Sequence, residues 1–147
     1  MGLDTSALFY RILSGNAELE KLTDGRIYSV AIAMPEMDIN NSLVPWVIIT
    51  FQGLNNDEAT KDDPYESSMD TVEIGIDITA NTPDDLMAMS QLVRDIIHDE
   101  FVNGDTFNGI YDYKFSAGPM GYDDVTPCFE QVLHYSCSVS NVKQSES

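Results

Sequence analysis

Hydrophobic and polar positions alternate with two rhythms along this chain. In "TVEIGIDIT", Val72, Ile74, Ile76 and Ile78 alternate with Thr71, Glu73, Gly75, Asp77 and Thr79, the period-two pattern of a strand with one buried face. "PWVIITF" is apolar on both sides, with Trp46 and Ile48 on one face and Val47, Ile49 and Phe51 on the other. It predicts a central strand covered from both sides, with Pro45 confined to the first position. "RIYSVAIA" predicts an earlier strand, and "GIYDYKF" and "FEQVLHYSCSV" two later ones. Tyr111, Tyr113 and Phe115 share a face of the first of these; Phe129, Leu133, Tyr135, Cys137 and Val139 share a face of the second.

The second rhythm is helical. Leu86, Met89, Val93, Ile96, Ile97 and Phe101 form an apolar stripe. Thr82 stands at the N-cap, Pro83 at the first helical position, and Asp84 and Asp85 in the first turn, with Asp85 placed to close a capping box; Asn103-Gly104 ends the run. "DTSALFYRILSGN" predicts a shorter helix, capped by Asp4, Thr5 or Ser6, with Leu8, Phe9, Ile12 and Leu13 inward. "AELEKL" predicts a brief turn capped by Asn16 and closed at Asp24-Gly25, where glycine accepts positive φ.

This order, with strands in runs and helices set apart, predicts an α+β fold: an antiparallel sheet of about five strands, one long helix and one or two short ones packed on it. No repeat or linker divides the chain, so residues 1–147 read as one domain with 141–147 as a flexible tail. The edge formed by "GIYDYKF" carries little charge, which suits a subunit contact better than edge protection.

Composition changes the picture in one respect. With 7 Lys+Arg against 25 Asp+Glu, the formal net charge is −18, while 43% hydrophobic content supports a real core. Phosphate neutralisation and attachment to anionic lipid both need clustered cations, so nucleic-acid binding and membrane association are not expected. The longest apolar run, Val44 to Phe51, is too short to span a bilayer, and no secretory signal is expected at the N-terminus. Gly2 and Ser6 match a loose acylation pattern, discounted because no polybasic helper accompanies it. Cys128 and Cys137 would stand roughly 30 Å apart along one strand, which predicts two buried thiols in a reducing cytoplasm and no disulfide.

Catalytic signatures are scarce. His98 near the end of the long helix and His134 on the polar side of the last strand lack partners at metal spacing. No nucleophile elbow, phosphate loop or dinucleotide fingerprint occurs. Asp57, Glu58, Asp62, Asp63, Glu66 and Asp70 crowd one connection with only Lys61 among them; a solvated loop is expected, since the glycine and ligand spacing of a calcium loop are missing. Asp123-Asp124 lie in a Gly/Pro-rich stretch without an acid–base partner, and Tyr122 beside them is a candidate contact residue. Trp46 reads as core. The chain is therefore expected to have no enzymatic activity, cofactor or metal.

The first third, an N-terminal helix with Leu8 and Leu13, then Leu19 and Leu22, "DGRIY" at Asp24 to Tyr28, Pro35, and "PWVIITF" from Pro45, resembles the tail completion or tail terminator proteins of long-tailed bacteriophages. The "TPDDLMAMSQLVRDII" helix and closing strands fit the same small α+β plan. The resemblance implies a homo-oligomeric ring, usually six copies, that caps the tail tube and joins it to neck or connector proteins at the tail–head junction of a virion assembled in the host cytoplasm. It carries no catalytic residue. The acidic segment from Asn55 to Asp70 departs from the family and leaves another neck or connector ring open. Six copies would bring roughly a hundred negative charges, which repel DNA phosphates within about 8–10 Å and let DNA pass through the lumen without sticking. Arg26, with Tyr111, Tyr113, Phe115 and Tyr122, is a candidate interface residue, pairing with an acid of its own or a neighbouring subunit; a solvated arginine beside a turn is the alternative. The acids from Asp57 to Asp70 are candidates for the lumen. Two further readings compete: an acidic DNA mimic that inhibits a nucleic-acid enzyme, and a metal-dependent hydrolase using the acidic loop.

Overall fold

The computed structural model describes residues 5–29, 45–56, 69–124 and 128–140. Along the chain run α1 (Thr5–Ser14), α2 (Ala17–Thr23), β1 (Ile27–Ser29), β2 (Trp46–Asn56), β3 (Met69–Ala80), α3 (Pro83–Asn103), β4 (Ile110–Ala117), β5 (Gly121–Asp123) and β6 (Cys128–Ser140). The class is α+β, as the patterning predicts. Asp4, the second half of "RIYSVAIA" and the 141–147 tail fall outside the described residues.

Side-chain caps set the helix boundaries. Asn16 Oδ1 accepts from the Leu19 amide at 3.0 Å to open α2, and Thr82 Oγ1 accepts from the Asp85 amide at 3.1 Å to open α3. Pro83 occupies the first turn of α3. At the end of α2, Asp24 (φ 53°) and Gly25 (φ 78°) both take left-handed backbone, so the reversal uses two such residues where glycine alone was expected. The reversal delivers Arg26 and β1 to the sheet.

The sheet has six strands in the order β1-β2-β3-β6-β4, with β5 also on β6. It is mixed: β1 runs parallel to β2, pairing Ile27 with Val47, and every other pair is antiparallel. The expected antiparallel sheet of about five strands is present as a mostly antiparallel sheet, with one parallel pair and a sixth strand added. Residues 30–44 separate β1 from β2, long enough for the return that a parallel pair requires and a hairpin does not. The extra strand is β5, which occupies the stretch read as a loop around Tyr122.

The core lies between one sheet face and the helices. Val72, Ile74, Ile76 and Ile78 of β3 are fully buried there with Val47 and Ile49 of β2 and Leu133, Tyr135, Cys137 and Val139 of β6. From above, Phe9, Leu13, Leu19, Leu86, Met89, Val93 and Ile97 close the same cluster. Phe9 packs against Phe107 and Tyr135, with ring centroids 5.0 and 5.5 Å away. No helix covers the other sheet face among the described residues. Trp46 and Ile48 are accordingly half-buried there, and the expectation that β2 is covered on both sides is corrected. Both cysteines are buried, and neither forms a disulfide. None of the described helices is long and apolar enough to cross a membrane.

Candidate functional site

Three surfaces hold the residues that matter: the outer edge of the sheet, the α2–β1 turn, and the sheet face that lacks helices.

The outer edge is one strand broken twice. Ile110 opposes Val139 and Asp112 opposes Ser138, which leaves Tyr111 as an extra residue in a bulge. Further along, Ala117 opposes Leu133 while Gly121 opposes Glu130, so residues 118–120 face only two residues of β6. The second irregularity is held by the Gly118 amide donating to the Val132 carbonyl at 2.9 Å and by Gln131 Nε2 donating to the Gly118 carbonyl at 2.8 Å. The edge predicted to be unprotected is therefore bulged at both ends, a geometry that obstructs strand addition.

These bulges divide the aromatic residues expected on one face. Tyr111 is 65% exposed, outside the set; Tyr113 and Phe115 point to the core side, with Tyr135 at 5.5 and 5.1 Å. Tyr113 also meets Phe101 edge-on at 5.0 Å and His98 Nδ1 at 2.7 Å, and the Arg94 guanidinium covers Phe115 at 4.4 Å. Burial raises the Tyr113 hydroxyl above its ordinary value, with Arg94 opposing the rise. Tyr113 and Phe115 are thus engaged within the subunit. Tyr122, in β5 and 59% exposed, rests one face on Phe129 at 4.9 Å. Tyr111, Met120 and Tyr122 put exposed apolar surface along this one edge. Inside the edge, a groove of about 580 Å³ runs beside α3, lined by Met87, Arg94, Phe115, Met120 and Leu133.

Arg26 is an internal tie. Its Nε donates to the Pro45 carbonyl at 3.0 Å and its Nη1 lies 3.5 Å from Asp24 Oδ2, while its own carbonyl accepts from the Val47 amide at 3.0 Å. It joins the end of α2 to the start of β2, and its acidic neighbour is its own Asp24. Because Asp24 is 89% exposed, the hydrogen bond to Pro45 matters more than the ion pair.

Of the acidic residues between strands, Asp57, Glu58, Asp62, Asp63 and Glu66 lie outside the described residues. Asp70 does not belong to a loop: it sits in β3, 8% exposed, and accepts from Asn56 Nδ2 at 2.6 Å. No group of three or more potential metal ligands forms among the described residues.

The helix-free face brings Asp77, Thr79 and Glu130, which the sequence reading did not single out as site residues, beside Trp46, Ile48 and His134. Register places Trp46 opposite Thr79 and Ile48 opposite Asp77 on one side of β3, and Glu130 opposite Thr79 and Val132 opposite Asp77 on the other. Trp46 Nε1, Asp77 Oδ1 and Thr79 Oγ1 are buried and have no hydrogen-bond partner. Burial pushes the Asp77 carboxyl up to about 6, and the charge of Glu130 adds to the rise. The nearby Thr79 hydroxyl opposes the rise. The signal in the sequence was a carboxylate flanked by Ile76 and Ile78, opposite the apolar start of β2. Two pairs along, His134 Nδ1 meets Gln52 Oε1 at 3.3 Å, and the Gln52 side chain lies over Gly75, where a Cβ would collide with it. Ser136 donates to Glu73 at 3.0 Å. On the core side, burial pushes the Cys137 thiol up to about 12, so it is an inert packing group.

These features define an α+β chain with helices on one face of a mixed sheet, a bulged outer edge bearing exposed aromatics, and a polar open face with an unneutralised carboxylate. No protein-family model and no curated protein matches the chain. Among solved structures it shares its fold with a chain of the virion of a native gene transfer agent (GTA) particle, at a TM-score of 0.61 and 13% identity over 92% of this chain and 94% of that one. At that identity the likeness is one of fold.

Proposed function

We propose that this protein is a non-enzymatic structural subunit of a phage-like virion, forming the tail terminator or completion ring at the tail–head junction. The observation that carries the reading is the match of nearly the whole fold to a chain of a virion particle, 92% of one and 94% of the other. The resemblance of "GRIY…PWVII" to tail completion proteins supports it from the sequence side. In this reading several copies, six in the resembling family, close into a ring above the tail tube. A closing ring needs a heterologous contact. The bulged edge disfavours strand addition, so that contact is made by side chains, with Tyr111, Met120 and Tyr122 its exposed apolar members. The charge of −18 per chain gives the ring an electronegative character past which DNA moves without binding.

The test is a joining assay. Particles produced without this chain should accumulate separate filled heads and tails, and the purified chain should restore joining. Intact, DNA-delivering particles assembled in its absence would overturn the proposal.

A further inference from the structure

We propose that Asn108-Gly109, in the turn between α3 and β4, is a self-modification site. There the Asn108 side chain closes onto the next main-chain nitrogen and is converted to aspartate and isoaspartate, while the same dipeptide at Asn103-Gly104 is protected by the fold. The two pairs stand five residues apart and share their local chemistry. Glycine carries no Cβ to obstruct the closing ring, so the sequence alone makes both pairs reactive. The structure separates them.

Asn103 is the last residue of α3, and the groups that would react there are engaged. Its Nδ2 donates to Asp99 Oδ1 at 2.8 Å, and the Gly104 amide donates to the Glu100 carbonyl at 2.9 Å. The Glu100 carboxylate also lies against Gly104, where an added Cβ would collide with it. A negative charge there opposes loss of the amide proton, which the reaction requires. Asn108 differs in each respect. It is exposed, and among the described residues its side chain has no hydrogen-bond partner. The turn is held on either side of the reacting bond: the Asn108 amide donates to the Asp105 carbonyl at 3.3 Å, and the Ile110 amide to the Phe107 carbonyl at 2.9 Å. The Gly109 amide between them has no acceptor among the described residues.

The step needs only water. Solvent hydroxide takes the Gly109 amide proton and the nitrogen attacks Asn108 Cγ. The Cγ–Nδ2 bond then breaks, Nδ2 takes a proton from water and leaves as ammonia, and a cyclic imide remains. Water opens the imide at either carbonyl, giving aspartate or isoaspartate, and nothing is oxidised or reduced. In isoaspartate the main chain is longer by one methylene. Phe107 and Ile110 flank the site as fixed points, 4% and 6% exposed, and Phe107 packs on Phe9. An extra main-chain carbon between them displaces the bond from the Ile110 amide to Phe107 and loosens the start of β4, beside the bulge at Tyr111. The inference concerns the ageing of the chain and does not depend on ring formation.

Incubating the full chain in mildly alkaline heavy-oxygen water, followed by peptide mass spectrometry with electron-transfer fragmentation, reads both sites in one experiment. Conversion should be about thirty-fold faster at Asn108 than at Asn103, the worth of two ordinary hydrogen bonds. In concentrated urea the two rates should converge, because protection by the fold is gone. Asn108→Gln, whose longer side chain closes the ring poorly, should keep the fold and lose the conversion. In the isoaspartate form the Ile110 amide should exchange its hydrogen faster than in the parent, with β3 unchanged. Equal rates at the two sites in the folded chain, faster conversion at Asn103, or rates that stay apart in urea would each overturn the proposal.

Discussion

The two faces of β3 lie one residue apart along the chain and behave in opposite ways. On one, Val72, Ile74, Ile76 and Ile78 are all 0% exposed beneath α1 and α3. On the other, Glu73 bonds Ser136, Gly75 makes room for Gln52, and the half-buried Asp77 carboxyl is raised by desolvation. The helix-covered face is closed by apolar packing, and the other face carries polar and charged side chains. The difference teaches where stability is made: apolar burial against helices holds the fold, while a desolvated carboxylate on the other face weakens it.

The strongest way to break that comparison is to truncate both faces. Ile76→Ala should cost about 3–4 kcal/mol because the cavity cannot collapse beneath α3, whereas Ile48→Ala, half-buried opposite Asp77, should cost about 1 kcal/mol. Urea unfolding of both variants measures this, and equal losses would erase the distinction between the faces.

Next in size is Asp77→Asn, which sharpens the comparison through pH. The folded carboxyl titrates at about 6 against an ordinary 3.8, so the folded state binds this proton more tightly than the unfolded state. Its favourable contribution is complete below 3.8 and is lost as pH rises through 6. The variant should therefore be more stable than the parent by about 1–2 kcal/mol at pH 7.5, allowing for solvent screening of a partly exposed group, and no more stable at pH 3.5. Paired chemical unfolding at the two pH values decides it; destabilisation at pH 7.5 would mean that the carboxylate is satisfied.

Thr82→Ala, which removes the α3 cap, should cost about 1 kcal/mol, read as a lower Tm in circular dichroism. The smallest effect on stability belongs to the outer edge. Tyr111→Ser should change unfolding by less than about 0.5 kcal/mol, yet reduce self-association in sedimentation. A large stability loss with unchanged association would show that Tyr111 serves the fold.

Most of the architecture was legible because periodicity and caps agreed. The stripe of α3, its Thr82 and Pro83 start, and the alternation in β3 all appear in place, since local chemistry and tertiary burial favour the same answer there. Neighbours that depend on distant sequence were not legible. Parallel pairing of β1 is set by a partner far along the chain, and the bulges at Tyr111 and Gly118 arise from register against β6, which no local pattern encodes. That is why Tyr111, Tyr113 and Phe115 read as one face and separate in the structure. Asp70 read as loop because its acidic surroundings masked the strand that begins at Met69. Arg26 read as a candidate interface residue pairing with an acid of its own or a neighbouring subunit; the acid beside it is its own Asp24, and the Pro45 carbonyl was not legible. Asp77 passed unremarked because alternation assigns it to a solvent face, and only the cross-strand neighbours Trp46 and Ile48 reveal its burial.

The central claim is that the chain works as a member of a closed ring. Native mass spectrometry combined with negative-stain imaging of the purified protein tests it most directly. The account predicts an annular particle of about 98 kDa, six copies of the 16.3 kDa chain, whose formation Tyr111→Ser reduces. A 16.3 kDa monomer at every concentration, with no annular particle alone or on tail tubes, would contradict it.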